Sequence, residues 1–540
     1  MTYRLITAFT GLLAGLLCCQ SSLLAAETED CADSSLALVN GKIHTMDERD
    51  TVVSSVLIRG GRFVAMDLED KAFDDCTEVV DLEQRTVIPG LIDNHVHYIR
   101  IANRPGYDHR DLEVTFTLAD ALSSIQQKTE SVPSGSLITT IGGIRRTQWK
   151  EQRFPTREEL DQVAPGNPVY LSERGAGPGQ TNTLARDMLR ELGVTVSDSG
   201  VIAARQDTAL AYDVLAAGMT NEHRKRQMLG VADYALSVGL TTVMDMSGTV
   251  PGVGFIDQTN GYDFFLDLVR EERHKVRTRI YFPGLDEDKD LKQLTGYLDN
   301  KWPSYGPDMA KIVGIGEWSV GRTLFNEKPL GEAAMLAQRK IAERGWTYHQ
   351  HLHTPEEINA HFDVWEELDD EFDLSSLRWT PGHLSFITPE LIERAKKMGL
   401  GLGAHGQRYH AGGRGGPPWR TLVESDLVAL GAGSDGARIN SLNPWNMIYY
   451  MVTGLDVSGE LINDGQQISR HDAVRLYSSA DQGWFTKEDE LLGGIAVGRF
   501  ADLVVLEANI FDAAAVPDNA IRNMQSILTV VNGEIVHSTR

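Results

Sequence analysis

The chain has 540 residues, too many for one compact core, so one large domain with smaller parts is expected. Its 42% hydrophobic content is ordinary for a globular protein, and its formal net charge of −25 argues against nucleic acid or an anionic membrane as a partner. A small-molecule substrate stays open, because the charge within a site can oppose the charge of the whole.

Residues 1–26 read as a signal peptide. Arg4 precedes the apolar run Ile6 to Leu17, and Leu24-Ala25-Ala26 leads into the acidic Glu27-Thr28-Glu29-Asp30. An uncleaved membrane anchor is the alternative, against which the apolar core is shorter than the ~20 residues a span needs; no later stretch is long and apolar enough, so no span is expected after cleavage. Cys18 and Cys19 lack the preceding small residues that lipoprotein processing wants. The expected location is therefore exported, periplasmic or secreted. Cys31 and Cys76 would remain, and an oxidising compartment would allow a disulfide between them; two free thiols are the alternative.

Residues 31–86 read as short strands around hairpin signals, Asn40-Gly41 and Gly60-Gly61. The far end, 491–540, repeats this grammar with Asp502 to Leu506, Ile527 to Val531, Asn532-Gly533 and Glu534-Ile535-Val536. One small β-sandwich domain formed from both termini is expected, with the large domain, 87–490, inserted between its halves.

The large domain opens on Val87-Ile88-Pro89-Gly90-Leu91-Ile92-Asp93-Asn94-His95-Val96-His97. Strand side chains alternate faces, so His95 and His97 point the same way and two imidazoles at a strand end can grip one metal ion. Residues 101–221 do not fit a strand–helix repeat. They carry their own strands, Leu137 to Ile141 and Val169 to Leu171, and the Pro/Gly-rich Arg174 to Gly179. They are read as an inserted cap that shapes a substrate site.

Beyond the cap the pattern alternates. Asn221 to Gly239 is a helix with Met228, Val231, Ala232, Ala235 and Leu236 at helical spacing. Strands follow at Leu240 to Asp245, Thr278 to Phe282, Lys311 to Gly316, Trp346 to His351, Leu377 to His383, Gly399 to His405 and Leu427 to Asp435, with helices such as Leu330 to Arg344 and Pro389 to Met398 between them. With the opening strand there are eight, which predicts an α/β fold of the (β/α)8 TIM-barrel class whose functional groups sit at strand C-termini. His95, His97, His351, His383 and Asp435 fall there. His349 shares a face with His351, and His353 follows, so the strand-five ligand is ambiguous; His351 is preferred as nearer the strand end.

These residues carry a family resemblance. Pro89 to His97 resembles the opening metal motif of the amidohydrolase superfamily, Gly239 to Asp245 its second strand, and Ala496 to Leu506 its return to the β domain. Phe154-Pro155-Thr156, Leu160-Asp161, Val163 to Val169 and Asn182 to Ala185 resemble the YtcJ-like branch, which includes N-substituted formamide deformylases. The resemblance implies a metal site of His95, His97, His351, His383 and Asp435. It also implies that Lys311, at the place of the strand-four lysine, carries a carboxyl group bridging two metals; a lysine that starts a barrel strand can equally be a solvated flank. Two departures stand out: Gly177-Pro178 replaces a Gly-His pair, and His351-Leu352-His353-Thr354-Pro355 replaces His-Ala-Ile-Gly-Asp.

Imidazole and carboxylate ligands suit Zn2+, one ion or two, which acidifies bound water. Asp435 is the expected catalytic base, and the reaction is hydrolysis of an amide-type C–N bond. Ester or cyclic-amide hydrolysis at the same metal, or an inactive exported binding protein, are the alternatives. Trp149, Trp318, Tyr409 and Trp419 are aromatic candidates for a pocket wall, Arg174 and Arg414 for a substrate carboxylate, and His405 and His410 for substrate contact, each with plain packing or solvation as its ordinary explanation. The oligomeric state is open, a homodimer being one option.

Overall fold

The computed structural model describes residues 34–68, 73–174, 177–246, 262–328, 330–436 and 439–539. The residues expected to form a signal peptide, with Cys18, Cys19 and Cys31, lie outside the described residues. Cys76 is disulfide-bonded.

Eight parallel strands form the central sheet in sequence order: β1 (Leu91–Val96), β2 (Leu240–Asp245), β3 (Arg277–Phe282), β4 (Ala310–Glu317), β5 (Thr347–Leu352), β6 (Thr380–His383), β7 (Leu402–His405) and β8 (Leu430–Gly433). The sheet closes at its upper rim: Asp435 N–H donates to His95 O (2.8 Å), and His97 N–H to Gly436 O (2.6 Å). The Asp93 carboxylate reinforces the seam, accepting from the Ser434 N–H (3.0 Å) and hydroxyl (2.5 Å) and from the His95 N–H (3.1 Å). The (β/α)8 expectation is borne out.

Helices pack outside the barrel because their sequences are striped. In Pro355–Phe372 the apolar Ile358, Phe362, Trp365 and Leu368 are buried along one face. Thr354 caps it, Pro355 occupies the first turn, and Glu357 completes a capping box. Asn221–Ser237 buries Met228, Val231, Ala232, Ala235 and Leu236, the residues its spacing predicts, and stops before Gly239 at φ +80°.

The opening apolar run divides at Gly90. Thr86–Pro89 pairs with Leu503–Leu506 and with Lys42–His44, while Leu91 onward enters the barrel. One continuous run therefore serves two sheets. Gly90 sits where they meet, and a Cβ there would collide with Thr241 Oγ1. Strands from both ends of the chain form the six-stranded sheet, and a four-stranded sheet joins it around Leu38, Val56, Phe63, Val87, Leu503 and Val530.

The lower end of the barrel is plugged by the returning chain. Ile92, Met244, Tyr281 and Val313 pack against Trp484, Phe485 and Phe500. Two buried ion pairs bind the plug to β3: Arg277–Asp502 (2.8 Å) and Arg279–Glu488 (2.6 Å).

Residues 101–221 hold a five-stranded sheet and four α-helices with cores of their own. They grip the loops after β7 and β8. Arg145 donates to the His410 carbonyl, and the buried Glu113 carboxylate accepts from the Leu442 (2.9 Å) and Asn443 (3.3 Å) N–H groups. Among the described residues no helix is long and apolar enough to cross a membrane.

Candidate metal centre

The upper rim gathers one carboxylate among four imidazoles. Glu317, the last residue of β4, is 6% exposed. Its Oε1 lies 3.2 Å from His97 Nε2. Its Oε2 lies 2.7 Å from His351 Nδ1, 3.2 Å from His383 Nε2 and 3.4 Å from His95 Nε2. Asp435 Oδ1 approaches His97 Nε2 to 3.2 Å and His95 Nε2 to 3.8 Å. Pleating brings His95 and His97 to the same face of β1, and β4, β5, β6 and the end of β8 supply the rest. His383 (φ +71°) and Asp435 (φ +54°) hold left-handed backbone, a conformation that costs a non-glycine residue about 1–2 kcal/mol and clusters at functional sites.

The electrostatics follow from this packing. Burial pushes Glu317 up, but His351 and His97 and the hydrogen bonds of His351 and His383 outweigh it and hold the carboxyl well below its usual range. Against burial and the neighbouring Arg100 cation, Glu317 and Asp435 raise His97 to about 9. Burial drives His95, His383, His349 and His405 down.

The donor set fits a divalent metal. His95 Nε2 and His383 Nδ1 are buried and make no hydrogen bond, and orphaned buried polar atoms are rare without a further partner. The ligating atoms of His95, His97 and Glu317 all lie within 4.8 Å of one another, as do those of His351, His353 and His383. Imidazole with carboxylate is the ligand chemistry of zinc and its neighbours.

Five of the six sequence candidates, His95, His97, His351, His383 and Asp435, converge here. Lys311 does not. It lies six residues before Glu317 on β4, roughly 20 Å along the strand. There its ammonium contacts Glu488 (3.0 Å) and Asp308 (3.2 Å), at the plugged end. The structure thus corrects the bridging role expected of Lys311: a group at a strand's N-terminal end cannot reach a site at its C-terminal end. Glu317, at the C-terminal end of β4, stands among the imidazoles instead, and the C-terminal-end rule applied to β4 would have named it. His349 sits one layer below His351, its Nε2 3.1 Å from His95 Nδ1. His405 packs under the cluster, its ring 4.0 Å from His95 and 4.4 Å from His383, while His410 bonds Asn440 Oδ1 at 2.5 Å.

A cavity of about 230 Å³ opens onto the cluster. His97, Glu317, His351, His353 and Asp435 form one side, and Arg100, Trp318, Arg322, Gln407 and Ile439 complete the lining. Trp149, Tyr409 and Trp419 are core residues instead. Arg174, Arg414 and the 101–221 insertion supply none of the lining among the described residues. The insertion braces the rim loops.

Comparison with known proteins agrees with this geometry. Residues 78–537 match the amidohydrolase family. The chain belongs to that family, and it is a hydrolase with a metal-binding centre. It is 23% identical over 545 residues to the N-substituted formamide deformylase of Arthrobacter pascens, covering 92% of this chain and 97% of that protein. It is 23% identical over 563 residues to the putative amidohydrolase YtcJ of Bacillus subtilis (strain 168), covering 92% and 98%. These two bear out the YtcJ-like resemblance. The fold is shared with the atrazine chlorohydrolase TrzN from Arthrobacter aurescens TC1 complexed with zinc, at a TM-score of 0.53 and 14% identity over 93% of this chain and 95% of that one.

Proposed function

We propose that this protein hydrolyses an amide-type C–N bond of a small molecule at a zinc centre held by His95, His97, Glu317, His351, His383 and Asp435. The observation that carries this is the Glu317 carboxylate, one oxygen toward His97 and the other toward His351 and His383. A carboxylate so shared would serve as a ligand to bound metal, one ion or two. The zinc-bound fold relative and the ligand chemistry support zinc, and the deformylase relative supports the C–N bond. Export fits the disulfide at Cys76.

Bound zinc would supply water acidified toward neutral pH and a Lewis acid for the carbonyl. The protein's own contribution is geometric. Asp435 lines the cavity beside the imidazoles, placed to take a proton at Oδ and return it to the leaving nitrogen. His349 lies against the far nitrogen of His95 and fixes that ring with Nε2 toward Glu317. Trp318 stacks on His351 at 5.1 Å and closes one wall against water.

The test is metal analysis with a panel of matched amide, ester and lactam substrates. Wild-type protein is expected to hold zinc and cleave amides. Asp435→Asn should keep metal while hydrolysis falls roughly 10²- to 10⁴-fold. Unchanged turnover in Asp435→Asn refutes the assigned mechanism, and preferred ester or lactam cleavage replaces the amide assignment.

A further inference from the structure

His405 ends β7, a strand that supplies none of the metal ligands named so far. Its ring is fully buried, and among the described residues neither nitrogen has a hydrogen-bond partner. Buried polar groups are rarely left so, and an unpaired imidazole there costs stability that a leucine or phenylalanine would not. The fold nevertheless makes room for it: a Cβ on Gly433 of β8 would stand 3.0 Å from His405 Cδ2. The ring lies 4.0 Å from that of His95 and 4.4 Å from that of His383, centroid to centroid. Ligating nitrogens of the three all lie within 4.8 Å of one another. His95 Nδ1 is engaged by His349 at 3.1 Å, which leaves its unpartnered Nε2 for another contact. Glu317 Oε2 stands 3.4 Å from that Nε2 and 3.2 Å from His383 Nε2, so a carboxylate is at hand to offset a cation among three neutral rings.

We propose that His405 is a metal ligand: with His95 and His383 it completes a three-imidazole site at the base of the cluster. The proposal rests on the metal centre inferred above and adds to it a ligand from β7. Three nitrogen donors suit zinc and borderline neighbours such as cobalt, and not magnesium or calcium, which take oxygen. Packing alone accounts for the burial of His405, but not for a polar ring at that place or for three nitrogens converging on one space. A His405 that only packed would be replaceable by phenylalanine with no effect on metal.

The experiment uses the full chain, freed of metal with a chelator and titrated with zinc, as wild type, His405→Phe and His405→Cys. Phenylalanine keeps the ring and removes both nitrogens. The metal-free melting temperature of His405→Phe should match or exceed that of wild type, while the rise on adding zinc should shrink. Its zinc affinity, measured by competition with a chromophoric chelator, should weaken by more than the roughly 10- to 100-fold typical of losing a partner behind a metal ligand. A smaller change makes His405 a packing or positioning residue and overturns the assignment. His405→Cys restores a ligand atom, and its cobalt-loaded form should show a thiolate-to-cobalt absorption band absent from wild type. That band decides if His405→Phe misfolds, and its absence then overturns the proposal. His97→Phe separates this inference from the metal centre itself. Zinc binding lost in His97→Phe but unchanged in His405→Phe refutes the β7 ligand and leaves the centre standing; no zinc in wild type refutes both.

Discussion

At the scale of single residues, the site turns on which end of β4 a side chain occupies. Glu317 and Lys311 share a strand, yet only Glu317 reaches the imidazoles. Glu317→Gln keeps the volume and removes the charge. Its metal content by mass spectrometry should fall, and its activity should drop beyond the about 10- to 100-fold typical of losing a partner behind a metal ligand. Lys311→Met should keep metal and turnover while losing about 1–2 kcal/mol of stability. The reverse pattern, with activity lost at Lys311 and spared at Glu317, would restore the carboxylated-lysine assignment. Periodicity placed His349 and His351 on one face of β5 but could not supply depth. The choice between them depends on how far each side chain stands from the rim, which only packing determines.

At the scale of elements, the lower plug depends on charge. Burial pushes Glu488 up, but Arg279 and Lys311 overcome this and hold it at about 2, against an ordinary 4.5. A depressed carboxylate contributes stability that is fully present above the unfolded value. That contribution, about 3 kcal/mol, is lost as pH falls from 4.5 toward 2. Denaturation curves across that window should be steeper in pH for wild type than for Glu488→Gln, and identical slopes would remove Glu488 from acid sensitivity. Gly90 makes a second element-level case. Gly90→Ala should lower the unfolding temperature, since its Cβ would meet Thr241 between two sheets. The strands themselves were legible because apolar runs and capped helices alternate. The split of Thr86–Pro89 from Leu91–Val96 was not, because a continuous apolar run does not say which sheet each half joins.

At the scale of the whole molecule, the barrel brings residues more than three hundred positions apart to one rim, and both termini close into one pair of sheets. A cation held there would tie β1, β4, β5, β6 and the end of β8 together. Zinc at a hundred times its dissociation constant should therefore stabilise the fold by about 2.7 kcal/mol. Chelation should lower the melting temperature and zinc should restore it. The closeness of His405 to His95 escaped the sequence because the two lie over three hundred residues apart. Only the closure of the barrel brings their rings together.

Diffraction from crystals of the zinc-loaded protein, recorded across the zinc edge, tests the central claim most directly. Anomalous density is predicted among the side chains of His95, His97, Glu317, His351, His383 and Asp435. An absence of anomalous density among these side chains, or a peak at Lys311 instead, would contradict it.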